Sequence, residues 1–137
     1  MSERVSPRIR KLIRERAKRR CEYCLIHEDG SWFPHGVDHI IARKHRGFGD
    51  EENLAWACFT CNGFKGSDIA SIDLETGRIV PLFNPRIDSW SRHFRLVGGH
   101  ILPRTPTGRV TEYLLQFNLP DAVEARELLI AAGRYPR

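Results

Sequence analysis

Two Cys-x-x-Cys pairs, Cys21-Glu-Tyr-Cys24 and Cys58-Phe-Thr-Cys61, account for every cysteine in the chain. A tetrahedral zinc ion needs four soft ligands, and each tight turn can supply two of them, so the pairs together make one complete site. In a reducing compartment disulfides are disfavoured, which sets metal binding above two disulfides or a thioredoxin-like redox pair. The pairs are separated by 33 residues, 25 to 57, more than in a simple zinc ribbon. Something folded must sit between them.

The chain of 137 residues, 41% hydrophobic, suits one compact domain with a modest core. No apolar run approaches the roughly 20 residues that span a bilayer, which predicts no membrane segment. The start of the chain is charged from Arg4 onward and has no apolar stretch of signal-peptide type, so the expected compartment is the cytoplasm. The net charge of +5 is unevenly placed. Residues 1 to 20 carry nine bases against Glu3 and Glu15, or +7, which leaves −2 for the rest. That asymmetry fits a polyanionic partner at the N-terminal segment as well as it fits a solvated helix face.

Ser6-Pro7 is a helix start, an N-cap followed by proline at the first helical position. Ile9, Leu12, Ile13 and Ala17 then recur at helical spacing, which predicts a basic amphipathic helix from Pro7 to Arg19. Val37 to Ile41 reads as a short strand, and Leu54 to Ala57 as a return strand after a long loop from Arg43 to Asn53. Thr60 to Lys65 reads as a short helix stopped by Gly66. Further on, Leu74 to Val80 reads as a turn into a strand, and Arg109 to Phe117 and Asp121 to Ala132 as helices, the last capped by Gly133. The expected organisation is a basic N-terminal helix (1–20), a central unit with both cysteine pairs (21–67), and an extension (68–137) packed on it. The expected class is α+β.

Hydrolysis of a phosphodiester needs an activated water, a cation on the scissile phosphate and relief for the leaving oxygen. Asp38 and His39, neighbours on the first strand, are a hard-metal ligand and a base; on a regular strand they would project to opposite faces. Asn53 follows His39 by fourteen positions and Asn62 follows Asn53 by nine. Alone, an Asp-His pair is more often part of a surface strand.

The full pattern is more specific. Cys21-x-x-Cys24, Asp38-His39-Ile40-Ile41, Asn53-Leu54 and Cys58-x-x-Cys61-Asn62 with Lys65-Gly66 resemble the zinc-knuckle branch of the HNH endonucleases, whose core is the ββα-metal motif. A second stretch, including Leu82 to Arg86, Trp90-x-x-His93-Phe94 and Thr107-Gly108-Arg109, resembles an extension found in many small bacterial HNH proteins. The resemblance implies that His39 takes a proton from the attacking water. It implies that Asp38 and Asn62 hold the catalytic cation, and that Asn53 braces the long loop and so orients His39. Asn62 stands where the family name has its last His. An Asp oxygen and an Asn carbonyl oxygen form a hard site, which favours Mg²⁺ or Mn²⁺. Zinc would be structural.

The implied activity is endonucleolytic cleavage of DNA with little sequence specificity. Arg43, Lys44 and Arg46 beside His39 are expected at phosphates, with Arg14 and Arg16 of the helix. Lys65 is expected either at a phosphate or capping its helix. His45 is expected on the loop surface, Trp90, His93 and Arg86 in packing, and Trp32 and Phe33 packed over the zinc knuckle rather than stacked on bases. The alternatives are a zinc-bearing nucleic-acid-binding module without catalysis, and a nuclease subunit directed by a protein partner or acting as a homo-oligomer. A pure binder has no need of Asp38, His39, Asn53 and Asn62 together.

Overall fold

The structure, a computed structural model, describes residues 5–136. Glu3 and Arg4, counted in the N-terminal charge, lie outside the described residues. The first helix, α1 (Pro7–Arg16), begins as its sequence dictates: Pro7 fixes the first helical φ, and the Ser6 hydroxyl accepts from the Ile9 amide at 3.2 Å. It ends three residues short of the expected Arg19. Lys18 and Arg19 adopt left-handed backbone (φ 56° and 61°), and this turns the chain into the first cysteine pair.

Strands β1 (Gly36–His39) and β2 (Leu54–Ala57) pair antiparallel, with Asp38 opposite Ala55 and His39 opposite Leu54. All four residues of β2 are buried because both faces are covered. Leu54 and Trp56 meet Ile13 of α1, while Ala55 and Ala57 join the cysteines on the other side. That is the alternation of a strand between two apolar layers. Helix α2 (Phe59–Lys65) starts at Cys58, its N-cap, and stops at Gly66, whose φ of 50° lets the backbone turn away.

The extension builds two more hairpins, β3 (Ala70–Asp73) with β4 (Arg78–Pro81), and β5 (Phe94–Val97) with β6 (His100–Pro103). The one-turn helix α3 (Trp90–His93) precedes β5, and helices α4 (Pro106–Leu114) and α5 (Pro120–Ala131) complete it. Gly133 (φ 71°) follows α5, and its amide and that of Arg134 reach back to the carbonyls of Ile130 and Leu129 at 2.9 and 2.8 Å. Those two bonds are the Schellman pattern that glycine at this place favours. Of these elements, β3, α3 and the β5–β6 hairpin are absent from the sequence reading.

The architecture is therefore α+β, small antiparallel hairpins among helices. One core cluster runs from Cys21, Tyr23 and Cys24 through Cys58 and Cys61 to Phe83, Phe94, Ile101, Val110, Leu115 and Phe117. The extension thus shares its core with the cysteine segment. Three polar contacts tie it to the first pair: the Arg86–Glu22 ion pair, Trp90 Nε1 donating to the Tyr23 carbonyl at 2.8 Å, and the Tyr135 hydroxyl donating to the Cys24 carbonyl at 2.7 Å. No helix among the described residues is long and apolar enough to cross a membrane.

Candidate metal and catalytic site

The two cysteine turns meet. The four sulfurs lie within 4.8 Å of one another, all four residues are buried, and no disulfide links them. Cys24 Sγ and Cys58 Sγ are 3.7 Å apart. Bonds of ~2.3 Å to a tetrahedral zinc put sulfurs about 3.8 Å from each other, so the spacing fits the ion. Each turn also aims amides at its first sulfur, with Tyr23 N and Cys24 N on Cys21 Sγ and Cys61 N on Cys58 Sγ, each at 3.4 Å. Hydrogen bonding to Cys21, joined by burial, pushes the Cys24 and Cys61 thiols well up. Four sulfurs packed this closely could all be thiolates only with a cation among them. The cluster is a zinc-binding arrangement.

Asp38 faces the cysteine layer and is 3% exposed. The Tyr23 hydroxyl donates to its Oδ2 at 2.6 Å and the Lys65 ammonium to its Oδ1 at 3.2 Å. Burial pushes the Asp38 carboxyl up, with Lys65 and Tyr23 pulling against it. Two of its roughly four lone-pair sites are used.

Lys65, expected at a phosphate or as a helix cap, is only 2% exposed. Its ammonium also donates to the carbonyls of His39 and Ile40 at 3.2 and 3.0 Å. An ammonium buried that deeply needs a carboxylate partner, and Asp38 is that partner. In this structure Lys65 clasps α2 to β1 and does not reach the surface.

Asn62 lies one turn before Lys65 on α2, and its Nδ2 makes a long contact of 3.5 Å with the Val37 carbonyl. Its amide is therefore held only loosely, at the backbone carbonyl that precedes Asp38. His39, on the other side of the strand, is half-buried, and its Nε2 is buried with no hydrogen-bond partner among the described residues. A buried ring nitrogen without a partner is costly in a purely structural role, and it is what a base or ligand presents to a substrate.

Asn53 straps the loop that leaves β1. Its side chain accepts from the Ile41 amide at 2.9 Å and donates to the carbonyls of Ile41 and Phe48 at 2.8 and 2.6 Å. Its own carbonyl accepts from the Ile40 amide at 2.8 Å. Gly47 makes this strapping possible, because a Cβ there would lie 1.7 Å from the Ile41 carbonyl oxygen.

Arg43, Lys44, His45 and Arg46 all sit exposed on that loop. Arg14 and Arg16 of α1 have acceptors inside the fold. Arg14 forks onto Glu28 at 2.8 to 3.1 Å, and Glu28 also accepts from Trp56 Nε1 at 2.7 Å. Burial alone would raise the Glu28 carboxyl, but the Arg14 and Trp56 hydrogen bonds hold it below its usual range. Arg16 donates to the carbonyls of Glu51 and Leu54 at 3.1 and 2.7 Å, tying α1 to β2. Trp32, expected to pack over the knuckle, is 99% exposed. Phe33 does pack there, its ring 4.6 Å from that of Phe59 inside the second cysteine turn.

Sequence reasoning missed Tyr23 as a partner of Asp38 and gave Lys65 no such role. The only cue was position, since Tyr23 sits inside the first cysteine turn and Lys65 one turn beyond the second.

Residues 21–68 match the family model described as HNH endonuclease, about a third of the chain. No curated protein and no solved structure matches the chain.

Proposed function

Because the chain carries an HNH endonuclease domain at residues 21–68, we propose that it is a metal-dependent endonuclease that hydrolyses phosphodiester bonds of DNA. The observation that carries this reading is the unpartnered, buried Nε2 of His39, which follows Asp38 on β1 and leads into a loop strapped by Asn53. In this reading His39 is the general base and takes a proton from the attacking water. Asn53 is a positioning residue that fixes the backbone following His39. Asp38 and Asn62 would hold Mg²⁺ or Mn²⁺ by oxygen, a hard donor set that suits such ions. When bound, the cation neutralises charge on the scissile phosphate and the leaving oxygen. Zinc in the four-cysteine site takes no part in the chemistry, since a closed four-sulfur site has no open position for water.

DNA is held with little base reading, through phosphates at Arg43, Lys44 and Arg46. Arg14 and Arg16 contribute only what their contacts with Glu28 and the β2 backbone leave over, and Lys65 acts from beneath through Asp38. A reducing compartment such as the cytoplasm suits four unoxidised cysteines. A plasmid-nicking assay with Mg²⁺, run beside His39→Ala, tests the reading. The variant should lose about 10²- to 10⁴-fold in rate while keeping its fold and DNA affinity. Equal cleavage by the two proteins, or full-rate cleavage by wild type in excess EDTA, would overturn it.

A further inference from the structure

The first zinc turn does more than hold sulfur. Tyr23 is the third residue of that turn, and its ring is 1% exposed with an edge against Phe83, centroids 6.3 Å apart. Its carbonyl is held by Trp90 Nε1 at 2.8 Å and its hydroxyl is 2.6 Å from Asp38 Oδ2. Backbone and ring are thus fixed by the cysteine turn on one side and the extension on the other. From the second turn grows α2, which delivers Lys65 to the opposite oxygen, Oδ1. Each knuckle therefore sends one donor to one oxygen of the same carboxylate.

A carboxylate rotates easily about its last torsion, with broad and nearly two-fold wells. Hydrogen bonds to its two oxygens select one orientation and decide which lone pairs remain for a cation. Without the phenol, only Lys65 would hold Asp38, and the ammonium would draw the carboxylate towards itself. A lysine and a metal ion compete for the same negative charge, so an arm that keeps Oδ2 away from the ammonium favours the metal.

We propose that Tyr23 is a positioning residue for the catalytic cation, orienting the Asp38 carboxylate from within the first zinc knuckle. The proposal rests on the reading of Asp38 as a ligand of that cation. It makes the zinc site a determinant of affinity for a second metal as well as a staple.

The test is Mn²⁺ binding by the zinc-loaded chain, followed through the electron paramagnetic resonance of free Mn²⁺, with zinc content and thermal midpoint measured alongside. Tyr23→Phe keeps the ring and removes the donor. It should bind Mn²⁺ about 10- to 100-fold more weakly with one zinc per chain retained, the range seen when outer-shell partners of metal ligands are removed. Mn²⁺ affinity within twofold of wild type, with zinc intact, overturns the proposal. Asp38→Asn in the same titration separates the premise: unchanged binding there removes Asp38 as a ligand and the proposal with it. Loss in Asp38→Asn alone overturns only the role of Tyr23. Should Tyr23→Phe lose its zinc, the wild-type chain labelled with ¹³C at the tyrosine ζ carbon decides. The Tyr23 resonance should move in step with Mg²⁺ binding, and a resonance that stays put overturns the proposal.

Discussion

The side chain of Asn53 forms both hydrogen bonds that a neighbouring strand would offer Ile41, accepting from its amide at 2.9 Å and donating to its carbonyl at 2.8 Å. Pairing between β1 and β2 ends at His39 and Leu54. One carboxamide thus extends the ladder two residues past its end, directly after His39. Asn53→Ala removes three side-chain hydrogen bonds, each worth ~0.5–1.5 kcal/mol net. Cleavage should fall at least tenfold while zinc content stays at one per chain, and amide exchange at Ile41 should quicken. Normal cleavage with an unprotected Ile41 amide would show that the strap is dispensable for the chemistry.

The exposed loop bases should govern how salt weakens DNA binding. Replacing Arg43, Lys44 and Arg46 together with Gln removes up to three phosphate contacts, each worth about 0.9 in the slope of log K against log salt. Binding isotherms at several salt concentrations should show a slope shallower by about 2 to 3. Truncation of α1 is the wrong probe, because it removes Ile13, which is fully buried against Leu54 and Trp56. An unchanged slope in the triple variant would place the DNA elsewhere.

The cysteine cluster should carry stability. Cys58→Ser removes a zinc ligand but keeps a hydroxyl able to cap α2 at the Cys61 amide, so the loss it reports is that of the metal. Structural zinc contributes folding energy directly, so this variant and the chelator-stripped chain should both unfold at lower temperature. Elemental analysis should give one zinc in wild type and less in the variant. A zinc-free chain with an unchanged melting curve would mean the sulfurs are mere packing.

The extension should have its own acid limit. Asp73 of β3 receives the Arg109 guanidinium at 2.8 and 3.0 Å and two further bonds from Thr76, and hydrogen bonding to Arg109 holds its carboxyl well below the usual carboxylate range. The folded group binds its proton more weakly than the unfolded one. Its stabilisation is therefore present above the usual carboxylate range and disappears as pH falls through the lowered folded value. Asp73→Asn should lower the melting midpoint at neutral pH and flatten its decline in acid. Parallel curves for wild type and variant between pH 5 and 2 would exclude this pair as a source of acid sensitivity.

Asn62 should set which ions work. Asn62→His exchanges a hard oxygen for imidazole, so activity should shift from Mg²⁺ towards Ni²⁺ or Zn²⁺. Cleavage rates across a panel of divalent ions would read this directly. An identical ion profile would remove Asn62 from the cation site.

The parts of this molecule legible in its sequence are those written in local chemistry. Ser6-Pro7 announced α1, Gly66 and Gly133 marked helix ends, and the cysteine spacing announced a four-sulfur site. The β5–β6 hairpin went unread although Gly98-Gly99 is a fitting two-residue turn, with Gly98 at φ 59°. Its four-residue strands bury only Phe94 and Ile101, too few for an alternation to stand out. Lys65 reads as a surface base because lysine is rarely buried, and only the through-space meeting with Asp38 reverses that expectation. Arg14 and Arg16 have internal partners that are equally invisible in the sequence. Their charge fits a polyanion on paper, but Glu28 and the β2 backbone answer it within the fold.

The hydrogen bond from Tyr135 to the Cys24 carbonyl joins residues 111 apart in sequence. Contacts of such long range form late, after the entropy of closing the intervening loop has been overcome. During synthesis the first cysteine turn must therefore wait for Tyr135, 111 residues further on, to emerge before its backbone is fully secured. A cut between α5 and Tyr135 would leave every proposed catalytic group in place and still loosen the turn that carries Tyr23. Damage far along the polypeptide would then be felt at its chemical centre.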